Sequence, residues 1–183
     1  MPRRTDTRER MVRSAAELLR EHGAAATSID RVLAHSGAPR GSVYHHFPGG
    51  RTQLIEEAVA LSGDFIAGLI DAAEPRAVVD RFFSLWRRWL VDSDFQAGCP
   101  IVSVTVTGET PHLAAGVFTR WTDGLAASLT GHGVPEARAR RLAVFVIAAV
   151  EGAVVMCRAE ASLAPLDAAA EEITELLAHT PRK

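Results

Sequence analysis

Hydrogen-bond donors suited to contacting DNA are concentrated between residues 40 and 51 of the chain. Arg40 carries a guanidinium that can donate two hydrogen bonds to the edge of a guanine base. Gly41 has no side chain, so the backbone there can come close to a phosphate. Hydroxyl, phenol and imidazole groups follow within a few residues, and two more hydroxyls lie upstream. The predicted DNA contacts are Thr27, Ser28, Arg40, Gly41, Ser42, Tyr44, His45 and Arg51.

The segment upstream of these donors predicts a short helix that buries one face. Thr27 and Asp30 fit a pattern that caps a helix start, because the hydroxyl can accept a hydrogen bond from a free N–H of the first turn. Ile29, Val32 and Leu33 then fall at helical spacing. We expect this helix to pack its narrow apolar face against the rest of a small domain.

A sharp turn and a second short helix are predicted next. Gly37 can adopt the left-handed conformation that ends a helix abruptly, and Pro39 is tolerated in the first turn of the following helix. Val43 and Phe47 lie four residues apart and would anchor its inner side. This layout predicts a helix-turn-helix, whose second helix enters the DNA major groove. A surface hairpin in an all-helical protein is the alternative interpretation.

The same stretch resembles the DNA-binding domain of the TetR family of transcriptional regulators. Residues 37–47 read G-x-x-x-G-x-x-Y-x-H-F, which is similar to that family's signature. The strings YHHFPGGR at residues 44–51 and GCPI at residues 98–101 resemble its LmrA/YxaF-like branch. One position departs from the family pattern. A Ser or Thr often caps the recognition helix there, whereas Pro39 has neither a hydroxyl nor an N–H to offer a phosphate.

Composition and chain-breaking residues predict an all-α fold of about nine helices. Of the 183 residues, 48% are hydrophobic, which is enough for a substantial core. Residues 101–107, IVSVTVT, could form a strand, but a lone strand would have no partner, so we predict a helix there. We assign residues 1–50 to a helix-turn-helix DNA-binding domain and residues 51–183 to an effector-binding and dimerisation domain.

The charges are distributed unevenly along the chain, although the net charge is only −2. Residues 1–51 contain nine Arg and five acidic residues, whereas residues 52–183 contain 11 basic and 17 acidic residues. This asymmetry favours a cationic, DNA-facing end on an acidic body. Chance variation in composition is the alternative.

The remaining chemistry predicts a cytoplasmic protein without a cofactor or metal. No apolar run follows the first residues, so no signal peptide is expected. The most apolar stretch, residues 142–157, has about 16 residues and contains Glu151, so we judge it too short and too charged to span a membrane. Cys99 and Cys157 provide no disulfide framework and are expected to be buried thiols.

Large aromatic side chains are frequent in the predicted body. The family resemblance implies a cavity there for a small, largely apolar or aromatic effector, and the alternative is that the aromatics simply fill the core. Glu151 could bind a cationic ligand, pair with an arginine such as Arg120, or face solvent. The predicted ligand contacts are Phe65, Phe82, Trp86, Trp89, Cys99, Thr105, Phe118, Trp121, Phe145 and Glu151.

The same resemblance implies that the last two predicted helices form the dimer surface, helix 8 from Pro135 to about Ala161 and helix 9 from Pro165 to about His179. Two such helices from each subunit would make a four-helix bundle, and the two-fold axis would set the recognition helices about 34–36 Å apart or a multiple of that spacing. The predicted interface residues are Leu142, Phe145, Val146, Ala149, Ala153, Met156, Leu166, Ile173, Leu176 and Leu177.

Three functions are compatible with these features. A repressor would bind an inverted-repeat DNA operator as a homodimer and be released by the effector. An activator or effector-independent regulator would use the same DNA-binding domain, with the aromatic side chains only filling the core. An enzyme would need a nucleophile and base or a metal cluster, and Cys99 and His112, 13 residues apart, match no such signature. We therefore predict no enzymatic activity.

Overall fold

The computed structural model describes residues 4–71 and 75–180, with side chains described from residue 6 onward in the first range. These residues form nine α-helices and one 3-10 turn, Arg40–Ser42, and contain no strand, so the all-α prediction is confirmed. The helices are α1 Arg4–His22, α2 Ile29–Ser36, α3 Val43–His46, α4 Gly50–Asp71, α5 Pro75–Asp92, α6 Pro100–Val106, α7 Pro111–Gly131, α8 Glu136–Glu160 and α9 Ala164–Ala178.

The β-branched segment after Cys99 is helical, as predicted. Pro100 occupies the first position of α6, where a missing N–H leaves no intrahelical bond unmade. The Thr105 hydroxyl donates to the Ile101 carbonyl at 2.7 Å. Because that hydroxyl bonds back to its own helix, its polar group is satisfied there despite the low helix propensity of threonine.

Two compact units make up the chain, each formed by two stretches of sequence. The first unit is Met1–Asp64 with Cys99–Ala115, and it contains α1, α2, α3, most of α4, and α6. The second unit is Phe65–Gly98 with Gly116–Lys183, and it contains α5, most of α7, α8 and α9. The functional division at residue 50 remains a prediction.

Each unit has its own apolar core. In the first unit α1 packs on α2 and on α6, and fully buried side chains include Met11, Leu54 and Ile101. In the second unit α9 packs on α5 and α8, and Trp121 and Leu142 are among the largest buried side chains.

The helix that contains residues 142–157 is longer than its apolar stretch suggests. By length and composition alone, the 25-residue α8 could cross a membrane, so the prediction that the segment is too short is wrong. Core helices of water-soluble proteins pass the same test. Because α8 buries Leu142, Val146 and Val150 and packs on α5 and α9, we interpret it as a core helix.

Candidate nucleic-acid interface

The first helix of the predicted motif begins one residue later than its capping pattern suggests. Ser28 is the N-cap of α2, and its hydroxyl accepts a hydrogen bond from the Arg31 N–H at 3.3 Å. Thr27 is only 1% exposed, and its hydroxyl donates to the Gly23 carbonyl at 2.8 Å. The capping prediction for Thr27 is therefore wrong, and its side chain offers no surface to DNA in this structure.

The turn and the second helix follow the predicted layout. Gly37 ends α2 with a φ of 65°, the left-handed conformation that glycine adopts without a steric penalty. Pro39 then precedes the 3-10 turn, and its carbonyl accepts the Ser42 N–H at 2.9 Å. Val43 and Phe47 are fully buried, so the predicted anchors of the inner side are confirmed.

The outer side of the 3-10 turn and α3 carries the predicted donors. Arg40 has a side chain that is 83% exposed, and Tyr44 is 70% exposed. Gly41 and His45 are exposed as well, and Ser42 is half-buried. The Arg40 guanidinium lies beside α2, where its Nη2 donates to Asp30 Oδ1 at 3.1 Å. The 3-10 turn therefore exposes a guanidinium, and α3 exposes a phenol and an imidazole.

Arg51 is engaged within the first unit rather than extended into solvent. Its Nε donates to the Thr27 carbonyl at 2.8 Å, and its Nη2 donates to the Ala24 carbonyl. Its Nη1 lies 2.6 Å from Glu109 Oε2 in an ion pair that is about two-thirds buried. In this structure Arg51 thus holds the α1–α2 loop, residues 23–28, against the start of α4.

A second contact holds the same loop from α6. The Ala24 N–H donates to Ser103 Oγ at 2.7 Å. Sequence reasoning missed Ser103 and Glu109, because they lie 79 and 58 residues from the groups they bond. No sequence pattern links Ser103 to Ala24 or Glu109 to Arg51 over such distances.

The arginine-rich N-terminus contributes one described side chain to this unit. Arg8 stacks over the Phe47 ring, with its guanidinium carbon 5.3 Å from the ring centroid. Its Nη2 also pairs with Glu57 at 2.6 Å. The sequence leaves two interpretations for the N-terminal arm with Arg3, Arg4 and Arg8, contact with phosphates or a solvated tail, and Arg3 and the Arg4 side chain lie outside the described residues. Arg8 itself is packed against its own unit.

Two family models match different parts of the chain. Residues 12–58 match the model of the bacterial regulatory proteins of the tetR family. Residues 75–172 match the model of the LmrA/YxaF-like transcriptional regulator C-terminal domain. The chain belongs to the TetR family of transcriptional regulators. It is therefore a DNA-binding regulator of the LmrA/YxaF-like branch.

Several relatives agree with this assignment over nearly their whole length. An uncharacterised helix-turn-helix regulator of Mycobacterium tuberculosis H37Rv is 45% identical, with 93% of each chain covered. The Bacillus subtilis regulator YxaF is 28% identical, with 97% of this chain and 98% of YxaF covered. A TetR regulator from Chloroflexus aurantiacus is 26% identical, and its crystal structure covers all of this chain with a TM-score of 0.79. These relatives are regulators rather than enzymes, as the sequence predicts.

The predicted ligand residues fall into separate groups. In the second unit, the Trp89 ring lies 5.2 Å from the Trp86 ring and 6.0 Å from the Phe65 ring. Phe118 and Trp121 form another edge-to-face pair, with ring centroids 5.5 Å apart. Cys99 and Thr105 belong to the first unit. Phe65 and Phe145 are half-exposed, and Glu151 is partly buried.

One small cavity lies in the second unit. Its volume is about 10 Å³, and apolar side chains line it, with Phe82 the one predicted ligand residue among them. Small-molecule sites usually have volumes of about 300–1,000 Å³. The Trp86 indole N–H is buried and has no hydrogen-bond acceptor among the described residues. Ligand contact by these aromatics stays a prediction.

Both cysteines are buried free thiols, as expected. Burial raises the pKa of the Cys157 thiol above its ordinary value, because the thiolate would lose its hydration. Among the described residues, no cluster of His, Cys, Asp and Glu could hold a metal ion.

The predicted dimer residues divide between the core and the surface. Leu142, Val146, Ala153, Leu166 and Ile173 are buried inside the protomer, whereas Phe145 and Met156 are half-exposed. Ala149, Leu176 and Leu177 are intermediate. A different side of α8 carries the exposed apolar surface, which we call the α8 stripe. It comprises Val144, Phe145, Ala148, Gly152, Val155 and Met156.

Proposed function

We propose that this regulator is a repressor that binds an inverted-repeat operator as a homodimer and is released by a small, largely apolar effector. Members of its family bind DNA and act as dimers. The observation that carries the proposal is the exposed guanidinium of Arg40 on the 3-10 turn, together with the exposed phenol of Tyr44 on α3, the second helix of the motif. As a chromosome-binding protein, it would act in the bacterial cytoplasm.

Different donors have different roles in this proposal. Arg40 reads a base, most naturally guanine, through paired hydrogen bonds in the major groove. Tyr44, His45, Ser42, Ser28 and the Gly41 backbone contact phosphates, which supply affinity without sequence information. Arg51 and Thr27 are assigned to support instead, because their polar atoms face the α1–α2 loop.

We assign the dimer contact to the α8 stripe and a second copy of this chain. Its four large side chains are each at least half exposed, although they are apolar. Ala148 and Gly152 lie between them and would allow two helices to approach closely. Burying such a face against its symmetric copy removes apolar surface from water, which stabilises the dimer by about 25 cal/mol for each Å² buried.

Effector binding is assigned to the aromatic side chains of the second unit. The buried Trp86 N–H could donate to an acceptor on the effector, because buried indole N–H groups usually have a partner. The cavity that Phe82 lines has a volume of about 10 Å³ and would have to enlarge to hold an effector. α4 contributes residues to both units. We therefore propose that effector binding displaces α4 and thereby alters the DNA-binding domain. The effector must favour the non-binding state by about 1–3 kcal/mol.

Binding to the intergenic DNA beside the gene, at two salt concentrations, tests the DNA-binding part. We expect saturable binding that survives competitor DNA and weakens with salt, because phosphate contacts release counterions. Weak binding that is equally sensitive to salt on every duplex would contradict operator recognition at this site.

An effector-independent regulator or activator is the second candidate, favoured by the small volume of the cavity near Phe82. Thermal denaturation with a panel of aromatic compounds separates the two, because a ligand that binds only the folded state raises the melting temperature. Saturable stabilisation together with loss of DNA binding supports the repressor. Stabilisation without any change in DNA binding supports the second candidate.

A further inference from the structure

We propose that Asp30 is a positioning residue that orients Arg40 for base reading and thereby sets the sequence specificity of this regulator. The inference rests on the proposed base-reading role of Arg40. Asp30 lies on α2 and Arg40 on the 3-10 turn, ten residues later, so their contact crosses the turn of the motif. The capping pattern that contains Asp30 gives this residue no role in DNA recognition.

The carboxylate of Asp30 is not needed to cap α2. Ser28 already fills that role through its bond from the Arg31 N–H. Asp30 sits in the first turn, where the partial positive charge of the helix N-terminus favours an acidic side chain. Its Oδ1 instead accepts a hydrogen bond from Arg40 at 3.1 Å. Asp30 has a short side chain on a helix, so its carboxylate can serve as a reference point for the longer side chain of Arg40.

The geometry leaves Arg40 able to hold Asp30 and a base together. A guanidinium has five N–H donors, and the contact with Asp30 uses one of them. Two of the remaining donors can bond the O6 and N7 atoms of guanine. An arginine held in this way loses less rotamer freedom on binding, so more of the pairing energy appears as discrimination between bases.

Asp30 should raise base discrimination but lower the affinity for DNA of any sequence. Its side chain is 75% exposed beside donors assigned to DNA. A carboxylate there repels phosphates of any sequence. The proposal therefore predicts that removing Asp30 strengthens non-specific binding while it weakens base discrimination. If Asp30 had only a structural role, its removal would weaken both specific and non-specific binding.

The test uses the full-length protein and a random-sequence duplex pool, from which the unmodified protein selects a consensus. Base discrimination is the ratio of dissociation constants for the consensus and for duplexes changed at one base pair. Arg40→Ala first identifies the position that Arg40 reads. At that position we expect Asp30→Ala to lower discrimination about fivefold to tenfold and to raise affinity for non-specific duplex about twofold or more.

Two further variants separate positioning from charge. Asp30→Glu keeps the charge but displaces the carboxylate, so discrimination should fall while non-specific affinity stays unchanged. Glu9→Ala is the matched control, because Glu9 pairs with Arg13 at 3.3 Å in a similarly exposed ion pair of the same unit. It removes the same charge and should leave discrimination intact.

The outcomes distinguish this inference from the proposed function. If no consensus is selected, operator recognition fails and the inference fails with it. If Arg40→Ala relaxes no position, Arg40 does not read a base and Asp30 has nothing to orient. If Arg40→Ala relaxes a position that Asp30→Ala and Asp30→Glu leave unchanged, the positioning role alone is wrong.

Discussion

At the scale of single residues, the phenol of Tyr44 is the clearest candidate for a phosphate contact. We expect Tyr44→Phe to weaken binding to all duplexes alike, by about threefold to tenfold, because one hydrogen bond to a charged oxygen is lost. The ring is 70% exposed, so the folded state should be unaffected. Titrations against the selected consensus and a scrambled duplex measure both affinities. A loss confined to the consensus would instead assign Tyr44 to a base.

The buried thiol of Cys157 supports a second prediction at this scale. Because burial raises its pKa, the thiol stays protonated at neutral pH and is shielded from reagents. Ellman's reagent should modify Cys157 slowly in the native Cys99→Ala variant and rapidly in denaturant. The pKa of Cys157 is higher in the folded protein than in the unfolded chain, where it is about 9. The contribution of this thiol to stability is therefore fully present below pH 9 and is lost as the pH rises through the pKa of the folded protein. Fast native modification would contradict the burial.

At the scale of elements, Arg51 is expected to support the motif. Arg51→Ala should lower the free energy of unfolding by about 1–3 kcal/mol, because two partly buried hydrogen bonds to carbonyls and the pair with Glu109 are lost together. Chemical denaturation followed by circular dichroism measures the change. Glu109→Gln should cost less, since the carbonyl contacts remain.

The control for this prediction is another arginine of the same unit. Arg13 pairs with Glu9 on the exposed side of α1, so Arg13→Ala should cost about 0.5 kcal/mol or less. Equal losses for Arg13→Ala and Arg51→Ala would mean that the Arg51 contacts contribute no more than a surface ion pair. Unchanged stability with weakened DNA binding would instead restore Arg51 as a DNA contact.

These elements also show which parts of the fold can be predicted from sequence. Gly37 and the prolines that begin α5, α6 and α7 act through backbone geometry, so their effects are local and readable. The role of Arg51 depends on Glu109, 58 residues away, and no local pattern encodes that distance. The sequence predicts the cap of α2 one residue too early, because Thr27 and Ser28 both carry suitable hydroxyls.

The buried and exposed faces of α8 cannot be told apart from the sequence. Its apolar residues extend around much of the helix, so periodicity cannot tell the face that meets α5 and α9 from a face that meets another molecule. Residues chosen from spacing alone therefore include Leu142 and Val146, which are buried within the protomer. Only burial separates them from Val155 and Met156, which remain exposed.

At the scale of the whole molecule, the α8 stripe predicts how an arginine substitution would change the oligomeric state. Val155→Arg places a charge in the proposed contact with the second copy, and an uncompensated charge in an apolar interface is strongly unfavourable. In sedimentation experiments at micromolar concentration, we expect the unmodified protein to be a dimer and Val155→Arg to be a monomer. Affinity for an inverted-repeat duplex should fall much more than affinity for a single half-site, because only the dimer engages both half-sites.

Val91 provides the matched control for this experiment. It is an exposed valine of the same unit, 55% exposed against 53% for Val155, but it lies on α5 outside the stripe. Val91→Arg makes the same chemical change and should leave both the dimer and inverted-repeat binding intact. If both variants are monomers, the effect is one of general destabilisation. If Val155→Arg stays dimeric while folded, the stripe is not the interface, and the geometry that sets the spacing of the two recognition helices must come from another surface.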